Sequence, residues 1–193
     1  MNGQNKSKVV IISGPSGVGK STICKKIAER LNNTYLSISV TTKPRAESEV
    51  DGRDYWFISK EEFQERIDNG LLLEHAEVFG NMYGTSKDKV DEALGADKVV
   101  LLEIDVQGAK QVKQVYKDAV MIFILPPTQK DLAKRMSHRS REDTKTARER
   151  LNGAGTEIAA AWQYYEHMVI NDELEQAVDE VIQIIKQYTG ETE

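Results

Sequence analysis

Ser13-Gly14-Pro15-Ser16-Gly17-Val18-Gly19-Lys20-Ser21-Thr22 holds the spacing G-x-x-x-x-G-K-[ST]. Glycines let successive backbone N–H groups turn inward around phosphate oxygens without side-chain obstruction. The lysine reaches the β- and γ-phosphates, and the hydroxyl that follows it can ligand Mg²⁺. The flanks agree with this reading. Val9-Val10-Ile11-Ile12 is a short β-branched run before the loop. After it, Ile23, Ile27 and Leu31 recur at helical spacing, with Ala28 on the same side. Strand, loop and helix in that order aim a helix N-terminus at an anion. An accidental glycine-rich turn would not bring that strand and helix with it.

At 193 residues the chain predicts one domain with a substantial core. Its net charge of −5, from 26 basic and 31 acidic residues, argues against a general nucleic-acid binder. A local basic pocket for phosphates remains open. The single cysteine, Cys24, excludes an intrachain disulfide and cysteine-rich zinc sites, and reads as a buried structural thiol. No apolar run approaches the roughly 18 residues of a membrane span. Met1 to Lys8 is polar, without the apolar stretch of a signal peptide, and reads as a frayed leader. These features predict a cytoplasmic protein.

Tyr35 to Val40 reads as a second strand, and Thr41 to Asp54 as a long polar loop of the kind that is functional or disordered. Tyr55 to Ile58 reads as a strand. Ser59 caps a helix carrying Phe63 and Ile67 on one face, with Leu71 as its continuation. Leu72 to Val78 and Asn81 to Tyr83 read as two short strands, so this middle stretch forms a small insertion. Thr85 or Ser86 caps the next helix. Lys98 to Asp105 and Ala119 to Leu125 are apolar runs suited to strands buried on both faces of a parallel sheet. Helices follow from Gln107-Gly108, from Thr128 and from Thr144 or Thr146, the last weakened by Gly153 and Gly155. Met168 to Ile170 is a strand, and an amphipathic helix runs from Leu174. Trp56 and Trp162 read as packing residues. Strands alternating with helices imply a parallel sheet with helices on both faces, and ligands at the carboxyl ends of its strands.

Glu103 and Asp105, two apart on a predicted strand, share a face there. Asp105, at the strand end, is the stronger candidate, to hold Mg²⁺ through water or to meet a substrate. Arg135, Arg139, Arg141, Arg148 and Arg150 are dense. Phosphoryl transfer needs that kind of positive charge, and arginine's fork binds phosphate oxygens bidentately. A solvated helical face is the bland alternative, since Glu142, Asp143 and Glu149 are interspersed. The middle stretch gathers Ser39, Lys43, Arg45, Tyr55, Glu74, Tyr83 and Thr85. These suit a small ligand with a phosphate and a base. The glutamate can accept from ring N–H and exocyclic amine donors. His75, His138 and His167 have no metal-ligand spacing.

In order along the chain, these pieces resemble the guanylate kinase family from Val9 to about Tyr188. Beyond the phosphate loop (P-loop), the resemblance rests on Ser37-Ile38-Ser39-Val40-Thr41-Thr42, Glu49 to Tyr55 and Leu73-Glu74-His75-Ala76. It continues with Gly80 to Thr85, Glu103 to Gly108, Arg135 to Arg139, Arg150-Leu151 and Ile170 to Leu174. The P-loop is shared by many NTPases. Glu74, Tyr83-Gly84-Thr85 and Asp105-Val106-Gln107-Gly108 are far more specific.

The resemblance implies an α/β, three-layer P-loop NTPase fold with a central parallel sheet. It has an inserted mixed α+β region that binds the nucleoside monophosphate, and a helical lid. One domain then divides into a core (residues 1–38, 86–130 and 153–193), a GMP-binding region (39–85) and a lid (131–152). The implied reaction is in-line transfer of a phosphoryl group from ATP, with Mg²⁺, to GMP and dGMP. Gly14, Pro15, Ser16, Gly17, Val18, Gly19, Lys20, Ser21 and Thr22 would bind ATP, with Asn171 near its adenine. Ser39, Tyr55, Glu74, Tyr83, Thr85 and Asp105 would bind GMP, joined by Lys43, Arg45 and Glu103. Ser39 and Tyr55 would serve its phosphate, and Glu74 and Thr85 would read its guanine. Lys20, Arg45, Arg135, Arg139 and Arg150 would be catalytic, and Ser21 and Asp105 would hold the metal. The implied partners are ATP and GMP, with no nucleic acid and no membrane, for a monomer or homodimer. One departure stands out. The family pattern Thr-Thr-Arg-x-Pro-Arg is Thr41-Thr42-Lys43-Pro44-Arg45-Ala46 here, leaving at most one arginine where the family has two. Lysine cannot reproduce a bidentate fork. A P-loop kinase for another small phosphorylated acceptor, or a non-catalytic binding module of the same fold, is the alternative reading.

Overall fold

Val9, Val10, Ile11 and Ile12 are all buried, because strand β1 (Lys8–Ser13) is covered on both faces. The computed structural model of the chain describes residues 7–78, 80–139, 155 and 157–190, with the backbone alone for 136–139. Val10 and Ile12 point into one core and Val9 and Ile11 into another, as the two-residue period of a strand requires. A fully buried side chain of this kind contributes about 1.5–3 kcal/mol, so a run of four anchors the sheet.

From β1 the chain passes through helix α1 (Lys20–Arg30) to β2 (Thr34–Leu36). It then leaves the central sheet for β3 (Val40–Thr41), β4 (Trp56–Phe57), α2 (Lys60–Asp68), β5 (Leu72–Val78) and β6 (Asn81–Ser86). It returns through α3 (Lys87–Gly95) to β7 (Val99–Glu103), α4 (Val106–Val115), β8 (Val120–Leu125) and α5 (Gln129–Arg139). A helix over residues 157–164 (α6), strand β9 (His167–Ile170) and α7 (Leu174–Thr189) complete the described chain. The central sheet has five parallel strands in the order β2-β7-β1-β8-β9. Ile23, Cys24 and Ile27 of α1 and the apolar side of α7 cover one face. Val90 and Ala93 of α3, Val106, Ala109 and Val112 of α4, and Ala161 of α6 cover the other. A second sheet of four strands, β4-β3-β6-β5, stands beside it. Among the described residues no helix is long and apolar enough to cross a membrane.

Several local expectations change. The stretch from Tyr35 to Val40 is not one strand. Ser37 N–H still donates to Leu101 of the central sheet, whereas the Ser39 carbonyl already accepts from Trp56 of the second. The chain changes sheets between them. Leu71 is exposed rather than a continuation of the α2 face, because Asn69-Gly70 ends the helix and turns the chain. Ser59 caps α2 as expected, accepting the Glu62 N–H at 3.0 Å. Ser86 occupies the α3 cap position without a side-chain bond, and Thr85 spends its hydroxyl elsewhere. Trp56 and Trp162 are 45% and 68% exposed, so neither is a packing residue. The helix expected from Thr144 or Thr146 begins outside the described residues.

Candidate active site

β1 runs into its loop at Ser13, whose buried hydroxyl donates to the Ile104 carbonyl at 2.7 Å. Gly14 follows with φ +151, and a Cβ there would lie 2.5 Å from the Ile124 carbonyl oxygen of β8. Only glycine lets the loop leave the sheet against that neighbour. Gly19 occupies the α1 cap position in the left-handed region, with no side-chain cap. The first-turn amides of α1 therefore face outward for an anion. Lys20 arches back over the loop, donating to the carbonyls of Gly14 (2.6 Å) and Pro15 (3.3 Å). Ser21 donates its hydroxyl to Glu103 Oε1 at 2.7 Å, at the carboxyl end of β7. Beside the loop lies a cleft of about 380 Å³ lined by Gly17, Val18, Gly19, Thr22, Arg135, Asn171, Asp172 and Leu174. Asn171 is buried and donates to the Val18 carbonyl at 2.8 Å, and Arg135 reaches the same oxygen at 3.4 Å.

The second sheet presents a different chemistry. Glu74 of β5 is only 4% exposed, and the buried Thr85 hydroxyl of β6 donates to its Oε1 at 2.6 Å. Burial pushes the Glu74 carboxyl up to about 7; the Thr85 bond opposes this and the Asp105 charge adds to it. The other carboxylate oxygen rests against Gly108, where a Cβ would come within 2.5 Å of it. Asp105 caps α4, accepting the Gly108 N–H at 2.8 Å. Tyr55 lies edge-on to Tyr83 with ring centroids 5.8 Å apart. Burial, then the Glu103 charge, push the Tyr55 hydroxyl up to about 12. Lys43 sits 5.3 Å over the Tyr55 ring and pairs with Glu49 at 2.5 Å. Glu49 Oε2 also accepts the Ala46 N–H at 2.9 Å. Against the penalty of burial, the Lys43 bond and this amide hold the Glu49 carboxyl below its ordinary value.

A phosphate cradle on one sheet thus faces a buried carboxylate–hydroxyl pair on another, with Glu103 and Asp105 between them. Comparison with known proteins identifies the assembly. The guanylate kinase family profile matches residues 6–188. The guanylate kinase of Clostridium tetani is 44% identical over 180 residues, covering 93% of this chain and 86% of its own. That of Synechocystis is 42% identical over 180 residues, covering 93% and 94%. The crystal structure of guanylate kinase from Anaplasma phagocytophilum superposes with a TM-score of 0.79 at 31% identity, covering 98% of this chain and 89% of that one. The chain belongs to the guanylate kinase family.

Of the residues that the resemblance to guanylate kinases marks, the structure gathers two groups. Lys20, Ser21, Arg135 and Asn171 surround the P-loop. Glu74, Thr85, Tyr55, Tyr83 and Lys43 surround the second sheet, where Ser39 contributes its backbone to β4 pairing. Arg45 is exposed and forms no ion pair with a described acid. The Arg139, Arg141, Arg148 and Arg150 side chains lie outside the described residues. One expectation is corrected. Glu103 and Asp105 do not share a strand face, because β7 ends at Glu103 and Asp105 is the α4 cap. Glu103 holds the P-loop serine.

Sequence reasoning passed over three participants. Glu49 looked like one acid in a charged loop. Gln111 of α4 drew no reading from the sequence, yet its amide meets β5. Glu157 of α6 is half-buried; burial raises its carboxyl while the Lys20 charge pulls it down and that of Asp105 pushes it up, so it lies within electrostatic reach of both. No local motif marks Gln111 or Glu157, since each owes its surroundings to chain that is distant in sequence.

Proposed function

We propose a division of labour for the reaction of this family, ATP-dependent phosphorylation of GMP to GDP, in which the P-loop holds the donor and the second sheet the acceptor. The observation that carries it is the buried Glu74–Thr85 pair. An ionised carboxylate there accepts from the ring N–H and exocyclic amine of guanine. Adenine does not offer that pair of donors on the matching edge. Thr85 keeps one oxygen oriented, and Gly108 lets α4 approach without filling the pocket.

Lys20 and the loop amides hold the ATP β- and γ-phosphates. Asn171, whose amide nitrogen is fixed on Val18, turns its oxygen to the adenine amine. Arg135, with Arg139 and Arg150 from the lid, neutralises the transferring group. Ser39, Tyr55, Tyr83, Lys43 and Arg45 hold the GMP phosphate. No covalent intermediate is needed, because positioning and electrostatics carry phosphoryl transfer.

The donor set also fits Mg²⁺. That ion keeps several waters and takes one or two protein oxygens beside the phosphates. Ser21 gives its proton to Glu103 and so leaves a lone pair for a cation, with Asp105 near enough to act through water. Bound there, Mg²⁺ would offset charge on the transferring phosphoryl group. The acceptor contacts address base and phosphate, so dGMP serves as well as GMP.

A coupled assay with ATP against GMP, dGMP, AMP, CMP and UMP tests the reading. Turnover is expected with GMP and dGMP, and Lys20→Ala should lower kcat by roughly 100-fold or more. Equal use of AMP, or near-normal turnover of Lys20→Ala, would overturn it.

A further inference from the structure

Strand β5 forms an edge of the second sheet, so half of its backbone groups have no strand to meet. At His75, the residue after Glu74, α4 supplies the partner. The Gln111 amide nitrogen donates to the His75 carbonyl at 2.9 Å, and the Gln111 amide oxygen accepts the His75 N–H at 3.3 Å. One side chain thus satisfies both backbone groups of one residue, as a neighbouring strand would.

The place matters. The β5–β6 register shifts between Leu72 and Glu74, and such irregularities re-aim side chains and loosen pairing. Glu74 therefore follows the least regular step of an edge strand. We propose that Gln111 is a positioning residue for base recognition. It locks the backbone next to Glu74 onto α4, so the carboxylate holds its aim between Thr85 and Gly108. The same helix is capped by Asp105, between the two nucleotide sites, so guanine reading is referenced to the catalytic core and not to the edge of a small sheet. This rests on Glu74 as the guanine reader.

Gln111→Met keeps the length and removes both hydrogen bonds. It is expected to raise KM for GMP about tenfold, as for two lost part-buried bonds, with KM for ATP unchanged. The GMP:IMP preference in kcat/KM should fall as well, because IMP lacks the exocyclic amine and a misaimed carboxylate has less to lose on it. In a Glu74→Gln background the effect should vanish, since Gln111 acts through Glu74. If Gln111→Met does not fold, Gln111→Glu is read in the same way, because its carboxylate opposes the His75 carbonyl. An unchanged KM for GMP, an unchanged GMP:IMP ratio, or an equal loss in the Glu74→Gln background overturns the proposal. Failure of the underlying reading looks different: Glu74→Gln alone would then leave GMP use intact.

Discussion

Glu74 shows how one residue sets function against stability. Its carboxyl titrates near its ordinary value of 4.5 in the unfolded chain and at about 7 in the folded one. Below pH 4.5 it is protonated in both states and costs nothing. Between 4.5 and 7 the unfolded chain loses its proton first, so stability falls as pH rises. Above 7 the deficit levels off, at an upper bound of about 3 kcal/mol. Glu74→Gln retains the oxygen that Thr85 needs and removes the charge. Its stability relative to the natural protein should therefore climb from pH 5 to pH 8, read from urea melts at unit intervals. Parallel pH profiles for the two proteins would show that no buried charge is relieved. Meanwhile kcat/KM for GMP should rise through pH 7 in the natural protein, because the proposed guanine contact needs the ionised form. At this scale the sequence was partly legible. Glu74 and Thr85 stood out through their motif, and the Lys43 departure was visible. What Lys43 does was not, because its partner Glu49 and the Tyr55 ring are brought to it by the turn of the loop.

Elements were legible where the pattern is self-sufficient. β1, β7 and β8 are continuous apolar runs because helices cover both their faces, and that burial writes itself into composition. β3 and β4 have two residues each and no pattern of their own; they exist because neighbouring strands offer hydrogen bonds. The P-loop belongs to the first kind, and its glycine spacing reports a backbone constraint. Gly14 tests that. A methyl group there meets the Ile124 carbonyl, which belongs to a strand fixed between β1 and β9 and cannot retreat. The positive φ adds strain for any L side chain. Gly14→Ala should lose about 2 kcal/mol or more in a urea melt, and ATP use should fall with it. A stable variant with unaltered KM for ATP would mean that the loop leaves β1 by a different path.

At the scale of the whole molecule, the arrangement poses an electrostatic problem. A chain of net charge −5 brings two polyanions together. On the proposed division of labour, Asp105 and Glu103 lie between donor and acceptor, and two phosphate groups within transfer distance repel. The described cations on hand are Lys20, Arg135, Lys43 and Arg45, and Lys43 is already shared with Glu49. Among the described residues the core and the second sheet meet where α4 lies against β5, where Leu73 joins the core, and through the Lys25–Asp54 pair at 3.6 Å, which adds little. The sign of the coupling between the nucleotides should therefore depend on the metal. Titration of GMP into protein saturated with a non-hydrolysable ATP analogue measures it. With Mg²⁺ the charge between the sites is offset and closure is favoured, so the analogue should tighten GMP by about fivefold or more. With EDTA the same analogue should weaken GMP binding, and by reciprocity GMP should weaken the analogue to the same degree. If GMP affinity ignored both analogue and metal, the two phosphates would not be neighbours, and the donor and acceptor halves could not form one site.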